Sequence, residues 1–489
     1  MKKIKFILPV FCLALIASFS GCKQEGDTYE VVDESVKIAA ISDTHLYDAA
    51  ALGSDASEGS ALAKYLASDR KMLVQSEAIL DSALSSIKSS GVKYLLISGD
   101  LTKDGEKVNH ELLAKKLAEV EKTGISVFVI NGNHDISNAN AVTFNGTETQ
   151  KTETVDTSDF KNIYKDFGYS EAVAVDPDSL SYAVNIGENY RLIAIDSCKY
   201  NNDKENPSQE TTGKVTEERM AWVKTQIEQA VQAGKIPVGM MHHGLVEHIP
   251  DVQSTIFSEY LEDNYKTTRE TLSKAGMNLV LTGHFHSQDI ASTTVNGKKF
   301  YDVETGSLVT SPCPVRYVTL NGRTFTSKTE NVSSVEGLSL EHNGTTYSTF
   351  TEYGEQFLRS GMNDLFESYL PGVLVTMGMA TSETAGYVCN AILNTEVISG
   401  TTVSEILTDA FVAHYKGDEG ESMNATTNGL ITSLLSTYSS YASKAAAATD
   451  STEKATLAQQ AALYKTLYGV TYNLYTDSPT SDRDVSFSF

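Results

Sequence analysis

Carboxylate, amide and imidazole side chains recur in five short blocks: Asp43-Thr44-His45, Gly99-Asp100, Gly132-Asn133-His134-Asp135, His242-His243 and Gly283-His284-Phe285-His286. Asp43 and His45 are two residues apart, as are His284 and His286, so on extended backbone each pair points one way. Asp43, His45, Asp100, Asn133, His242, His284 and His286 together offer a mixed oxygen and nitrogen donor set. That set suits Fe, Mn or Zn rather than Ca. Seven donors exceed the needs of one tetrahedral ion, and two ions sharing a carboxylate is the economical arrangement. The flanking glycines permit tight turns and close backbone approach. A lone histidine beside a strand is more often satisfied core than ligand; it is the clustering that argues for chemistry.

The elements that must position these blocks are legible as short apolar runs. Lys37–Ser42, Tyr94–Ser98, Ser126–Ile130, Tyr190–Asp196, Pro237–Met241 and Asn278–Thr282 read as strands covered on both faces. Each block falls just past a strand's C-terminal end, the edge where open α/β sheets bind ligands. Between the strands, Leu73, Leu80, Leu84 and Ile87 repeat at helical spacing before Gly91, and Leu113, Leu117 and Val120 do so before Gly124. Met220, Val223, Ile227 and Val231 form a third stripe before Gly234. Alternating strands and helices predict an α/β sandwich. Residues 136–158, rich in Ser, Thr and Asn, read as a long surface loop and a candidate substrate lid.

In order and type the five blocks resemble the calcineurin-like metallophosphoesterase superfamily, over roughly residues 36–320. The resemblance implies a four-layer α/β/β/α sandwich. It implies that Asp43, His45, Asp100 and His286 bind one metal ion and Asp100, Asn133, His242 and His284 a second, with Asp100 as the bridge. It further implies that His134 is the acid near the leaving group, oriented by Asp135. The run from Gly99 to Leu117, followed by VFVINGNHD, looks most like the bacterial cyclic-nucleotide phosphodiesterase branch, and within it like secreted lipoproteins with a helical C-terminal extension. The purple acid phosphatase branch places Tyr three residues after the bridging Asp, where this chain has Lys103. Gly244-Leu245 follows the His pair where many relatives have Pro, a departure that leaves the ligand intact.

A water held between two divalent or trivalent cations has its pKa lowered far below the bulk value, and the same ions stabilise charge on a phosphate. Protonation of a poor alkoxide leaving group by His134 would contribute about 10²–10⁴-fold. A phosphodiesterase for cyclic nucleotides or similar small diesters is the expectation. The rivals are a phosphomonoesterase or nucleotidase on the same site, a nuclease, and a non-catalytic surface-binding lipoprotein. His243, His110 and His248 are candidates for support of the ligands or contact with substrate. Asp196 is a candidate for orienting a ligand histidine, and Arg316 reads as a structural ion-pair residue. No role follows for His342 or His414.

At 489 residues the chain suggests two folded domains. Its net charge of −24 disfavours a nucleic-acid polymer as partner, which needs a basic surface. A small phosphoester remains compatible, because bound cations reverse the local field. Lys2, Lys3 and Lys5 precede the apolar run Phe6–Ala17, a signal-peptide pattern, and Ser18-Phe19-Ser20-Gly21-Cys22 resembles a bacterial lipobox. Residues 1–22 are therefore expected to be a lipoprotein signal and 23–35 a tether. The enzyme is then exported and membrane-anchored through Cys22, in the periplasm or at the cell surface. Cys198, Cys313 and Cys389 read as buried thiols, one pair of which could bridge. The phosphoesterase domain is placed at 36–325. Residues 326–489 are expected to form a mainly helical domain, with helices at Gly354–Tyr369, Val403–Tyr415, Thr427–Ala448 and Thr452–Tyr475. Tyr464, Tyr468, Tyr472 and Tyr475 share one helical face, a pattern of core or interface packing.

Overall fold

The computed structural model describes residues 35–489 apart from 68, 377, 399 and 477–480; the expected signal and Cys22 lie outside them. β1 (Val36–Ile41), β2 (Tyr94–Ser98) and β3 (Ser126–Ile130) are short aliphatic runs that pair in parallel. The β4 (Val142–Asn145) and β5 (Glu148–Lys151) strands then form a separate hairpin. A second sheet is built from β6 (Ala174–Val175), β7 (Tyr182–Ile186), β8 (Tyr190–Ile195), β9 (Ile236–Met241), β10 (Leu279–Thr282), β11 (Ile290–Val295) and β12 (Lys298–Glu304). Its order is β11-β12-β10-β9-β8-β7-β6. β13 (Pro314–Asn321) returns to the first sheet antiparallel to β1, and β14 (Thr324–Asn331) follows it.

The pleat explains the layers. Leu192 and Ala194 of β8 join Val238, Met240, Leu279 and Leu281 in the core shared with the first sheet. Their neighbours Ile193, Ile195, Met241 and Val280 face the other way, onto Val223, Ile227 and Leu272 of the helices Glu217–Gln232 and Tyr265–Ala275. On the first sheet's outer side lie the helices Ser76–Ser89 and Lys107–Glu121, burying Ile79, Leu80, Leu113 and Leu117. Helix, sheet, sheet and helix make the four layers.

Residues 136–158 are not an open loop, because the β4–β5 hairpin lies inside them. It turns at Gly146-Thr147, where Gly146, the first loop residue, has φ of 57°, a turn signal between β-prone residues. Buried Phe144 anchors it against Tyr47 and Tyr65.

The C-terminal half is mainly helical: Phe350–Thr376, Ala385–Leu393, Val403–Lys416, Ala425–Ala447 and Ser451–Thr476. The first runs through Pro371, beyond the expected end at Tyr369, because Leu365, Phe366 and Leu374 are buried on both sides of the proline. Ala385–Leu393 was too short a stretch to stand out. These helices share a second core with Ile249, Val252, Phe257 and Phe285 of the α/β part. Tyr475 is buried, Tyr464 and Tyr468 pack partly against this core, and Tyr472 is 41% exposed. The boundary set at 325/326 falls inside β14. The chain end also returns as the strand Val485–Ser488 on β14, with Phe487 opposite Phe325. Cys198, Cys313 and Cys389 are buried free thiols, with no bridge among them. Among the described residues no helix is long and apolar enough to cross a membrane.

Candidate metal centre

The strand ends converge. Asp43, His45, Asp100 and His286 bring one ligand atom each to within 4.8 Å of one another, and so do Asp100, His242 and His284. Asp100 belongs to both groups. Its Oδ1 accepts the His134 backbone N–H, leaving Oδ2 at 3.6 Å from His45 Nε2 and 3.3 Å from His242 Nε2. His286 Nε2 lies 3.2 Å from Asp43 Oδ1 and 3.4 Å from His45 Nε2. Asn133 Oδ1 lies 3.1 Å from His242 Nε2.

Backbone conformation sets these aims. Asp43, His45, Asp100, His284 and His286 all have φ between 36° and 78°, a left-handed conformation costing on the order of 1–2 kcal/mol per residue. Such strain concentrates where surrounding structure enforces a functional geometry. Two glycines let the segments meet. A Cβ on Gly132 would sit 2.1 Å from Asp100 Oδ1, and one on Gly283 1.9 Å from Ser42 Oγ.

The donors fit cations. His242 Nδ1 donates to the Ser98 carbonyl (2.8 Å) and His284 Nε2 to the Glu259 carbonyl (3.2 Å), which fixes the tautomers and leaves the opposite nitrogens as lone pairs. Asp43 Oδ1 is buried without a hydrogen-bond partner. Burial holds His45, His284 and His286 below the ordinary imidazole range, in the neutral form a metal requires. His242 differs. Burial opposes its charge, but Asp100 pushes it up to about 9, so a cation there would take the place of a proton. Burial alone would raise the Asp100 carboxyl; the facing imidazoles of His242 and His134 instead hold it well below the carboxylate range.

His134 stands at the mouth, its side chain 17% exposed. Its orienting partner is not Asp135, as the resemblance implied, but Asp104: His134 Nδ1 donates to Asp104 Oδ1 (2.8 Å) and to the Lys103 carbonyl (2.7 Å). Burial opposes a charge on His134, yet Asp100 and Asp104 raise it above its ordinary value. The buried Lys103 ammonium binds Asp104 and lies 3.1 Å from Glu106 Oε1, holding this carboxylate in place. Asp135 serves the loops. Its carboxylate accepts from the backbone N–H groups of Gly132, Leu101 and Thr102 and from the Thr102 hydroxyl. Burial and the charge of Asp100 push it up to about 7.

The remaining candidates divide. His243 is sealed between Ser197 Oγ (2.8 Å) and the Thr211 carbonyl (3.0 Å), with its ring against His242 and His284, and supports the ligands without access to substrate. His110 is buried and donates to the Asp135 carbonyl (3.1 Å), so it braces the loop. His248 does not line the cleft; it is buried against Asp289 behind His286. Asp196 binds Asn131, Tyr200 and Arg219 and touches no ligand histidine. Arg316 is structural, donating to the Glu304 and Asp482 carbonyls.

Two cations escaped the sequence reading. The charge of Lys71 reaches His45, His134 and His286, and that of Arg70 reaches His286. Arg70 also bonds Tyr415, so the helical region touches the rim of the site. No motif spacing marks Asp69-Arg70-Lys71; only the fold brings it here.

The family model for the calcineurin-like phosphoesterases matches residues 36–288, a span that contains every block. The chain belongs to the calcineurin-like phosphoesterase family. No curated protein matches this phosphoesterase in sequence. Among solved structures it is similar to a dimetal phosphatase from Danio rerio, at 14% identity and a TM-score of 0.43, covering 61% of this chain and 96% of that one. It is also similar to a purple acid phosphatase from yellow lupin (Lupinus luteus) seeds, at 10% identity and 0.39, covering 65% and 54%. A third likeness is to GAP50, the anchor in the inner membrane complex of Plasmodium, at 11% identity and 0.35, covering 68% and 96%.

Proposed function

We propose that this phosphoesterase is a two-metal phosphodiesterase acting on cyclic nucleotides or similar small diesters. The observation that carries the reading is His134. Its Nδ1 is committed to Asp104, its side chain opens at the mouth, and its Nε2 lies 3.9 Å from Asp100 Oδ2. Nε2 is thus the atom left to give a proton to a departing alkoxide, the step a diester with a poor leaving group most needs. Asp43, His45, Asp100, Asn133, His242, His284 and His286 would hold the two ions, Asp100 belonging to both groups. Ions bound there supply activation of water and neutralisation of phosphate charge. Lys71 and Arg70 add positive charge on the His286 side, which favours an anionic substrate. That same charge favours the second reading, a monoesterase, since a monoester carries more negative charge.

Protein lacking residues 1–22 and loaded with Mn or Fe should hydrolyse bis(p-nitrophenyl) phosphate and 2′,3′- or 3′,5′-cyclic nucleotides faster than p-nitrophenyl phosphate. A preference for the monoester would replace the first reading with the second. Export and anchoring through Cys22 belong to the same proposal, supported by Lys2, Lys3 and Lys5 before the apolar run. Mass spectrometry of the mature N-terminus should find a lipid-modified Cys22; an unmodified start elsewhere would remove the anchor.

A further inference from the structure

Behind His286 the molecule holds a second nest of ionisable side chains. Asp289, Asp302, Glu304 and His248 come from the second sheet and its loops, Arg316 from β13, His414 and Glu419 from the helical region, and Asp482 from the chain end. All are at most 2% exposed. Five carboxylates here face two cations. Arg316 spends its guanidinium on backbone carbonyls. His248 binds Asp289; burial opposes its charge, but Asp289 and Glu304 hold it well above the ordinary imidazole range. Asp302 is satisfied by the Leu245 and Val246 N–H groups and the Thr282 hydroxyl. Glu304 Oε2 and Asp482 Oδ2, by contrast, are buried without hydrogen-bond partners. An excess of buried negative charge must be neutralised by protons or by a cation.

Burial raises the carboxyls of Glu304 and Asp482 into the protonated form, and His414 offers a place for a cation beside them. Its Nδ1 donates to Glu419 Oε1 (2.9 Å), the arrangement in which a carboxylate orients a metal-binding imidazole. Its Nε2 is fully buried and has no hydrogen-bond partner. With Nδ1–H committed to Glu419, that nitrogen is the one left with the ring's lone pair, and the charged groups that face it are Asp289 and His248. One ligand atom from each of Asp289, His414 and Glu419 lies within 4.8 Å of the others, as in the strand-end groups. The approach is enforced by Gly417, the left-handed cap of the His414 helix, where a Cβ would sit 2.3 Å from the Gln288 carbonyl.

We propose that Asp289 and His414, the imidazole held by Glu419, form a third cation site, separate from the strand-end pair, whose ion staples the helical region to the segment following His286. Imidazole with carboxylates selects a first-row divalent ion such as Zn or Mn over Ca.

The test is metal content of the full chain by inductively coupled plasma mass spectrometry. His414→Gln should carry one equivalent fewer than wild type and melt at lower temperature. Asp100→Asn should lose metal from the strand ends yet keep the equivalent that His414→Gln loses. Equal metal content in wild type and His414→Gln would overturn the site. Should His414→Gln fail to fold, wild-type crystals grown with Zn provide the reading: an anomalous peak between Asp289 and His414 supports the site, and its absence refutes it.

Discussion

Two nests of buried carboxylate and imidazole lie back to back in this molecule, and they are built differently. The front nest stands on left-handed backbone at five of its residues and opens to solvent through His134 and His286. The rear nest places His414 on a regular helix and Asp302 and Glu304 on β12, all sealed. Strain is tolerated where surrounding structure must aim side chains at a reacting group, and an opening is needed only where something enters. The front is therefore chemistry and the rear architecture. Between them sits Phe285: its neighbours His284 and His286 face the front, while its ring packs on Phe257 and lies 5.9 Å from His414.

That contrast can be broken by substitution. The largest effect is expected from Asp100→Asn, which weakens the carboxylate shared by both front groups. Activity should fall on the order of 10³-fold or more while the melting temperature changes little. A steady-state assay with wild-type rates would end the shared-ligand account. His134→Ala should cost about 10²–10³-fold on a substrate with an alkoxide leaving group and far less on one with a nitrophenolate. Asp104→Asn should give a weaker loss of the same leaving-group dependence, about tenfold, whereas a uniform loss across leaving groups would mean that Asp104 merely holds the loop.

Smaller effects concern the join and the bracing. Phe285→Ala should destabilise the protein by about 3 kcal/mol, read as a lower urea midpoint, because it empties a contact between the α/β part and the helical region. An unchanged midpoint would show the halves to be stable apart. His110 provides a control without an ionic partner. Burial holds its pKa down to about 3, against about 6.5 in an unfolded chain. As pH falls from about 6.5 towards 3 the unfolded chain gains a proton the folded one refuses. Its contribution to stability is thus lost at about 1.4 kcal/mol per pH unit in that window. His110→Gln should flatten that slope in denaturation measured between pH 4 and 7; an identical slope would mean His110 titrates freely.

Much of the front nest was legible because its ingredients are local. A strand followed by Asp-x-His, Gly-Asp or Gly-His-x-His carries both the donor types and the turn that aims them, so the donors Asp43, His45, Asp100, Asn133, His242, His284 and His286 could be grouped from the sequence, while their division between two ions came from the resemblance. The ester they act on was not legible there. The resemblance offered His134 as the acid with Asp135 as its orienting partner, but Asp135 is only the sequence neighbour and Asp104 comes near once β2 and β3 pair. The hairpin inside 136–158 carried its own turn signal at Gly146, masked by a polar composition that reads as loop.

The sequence by itself determined the six main strands, the blocks at their ends and the α/β class, because apolar periodicity and glycine placement are short-range; the four layers were implied by the family resemblance. The tertiary structure alone decided that Lys71 and Arg70 reach the site, that Phe285 packs the α/β part against the helices, and that His414 meets Asp289. Each of these pairs residues distant in the chain whose approach depends on how layers pack, and no local pattern encodes that distance.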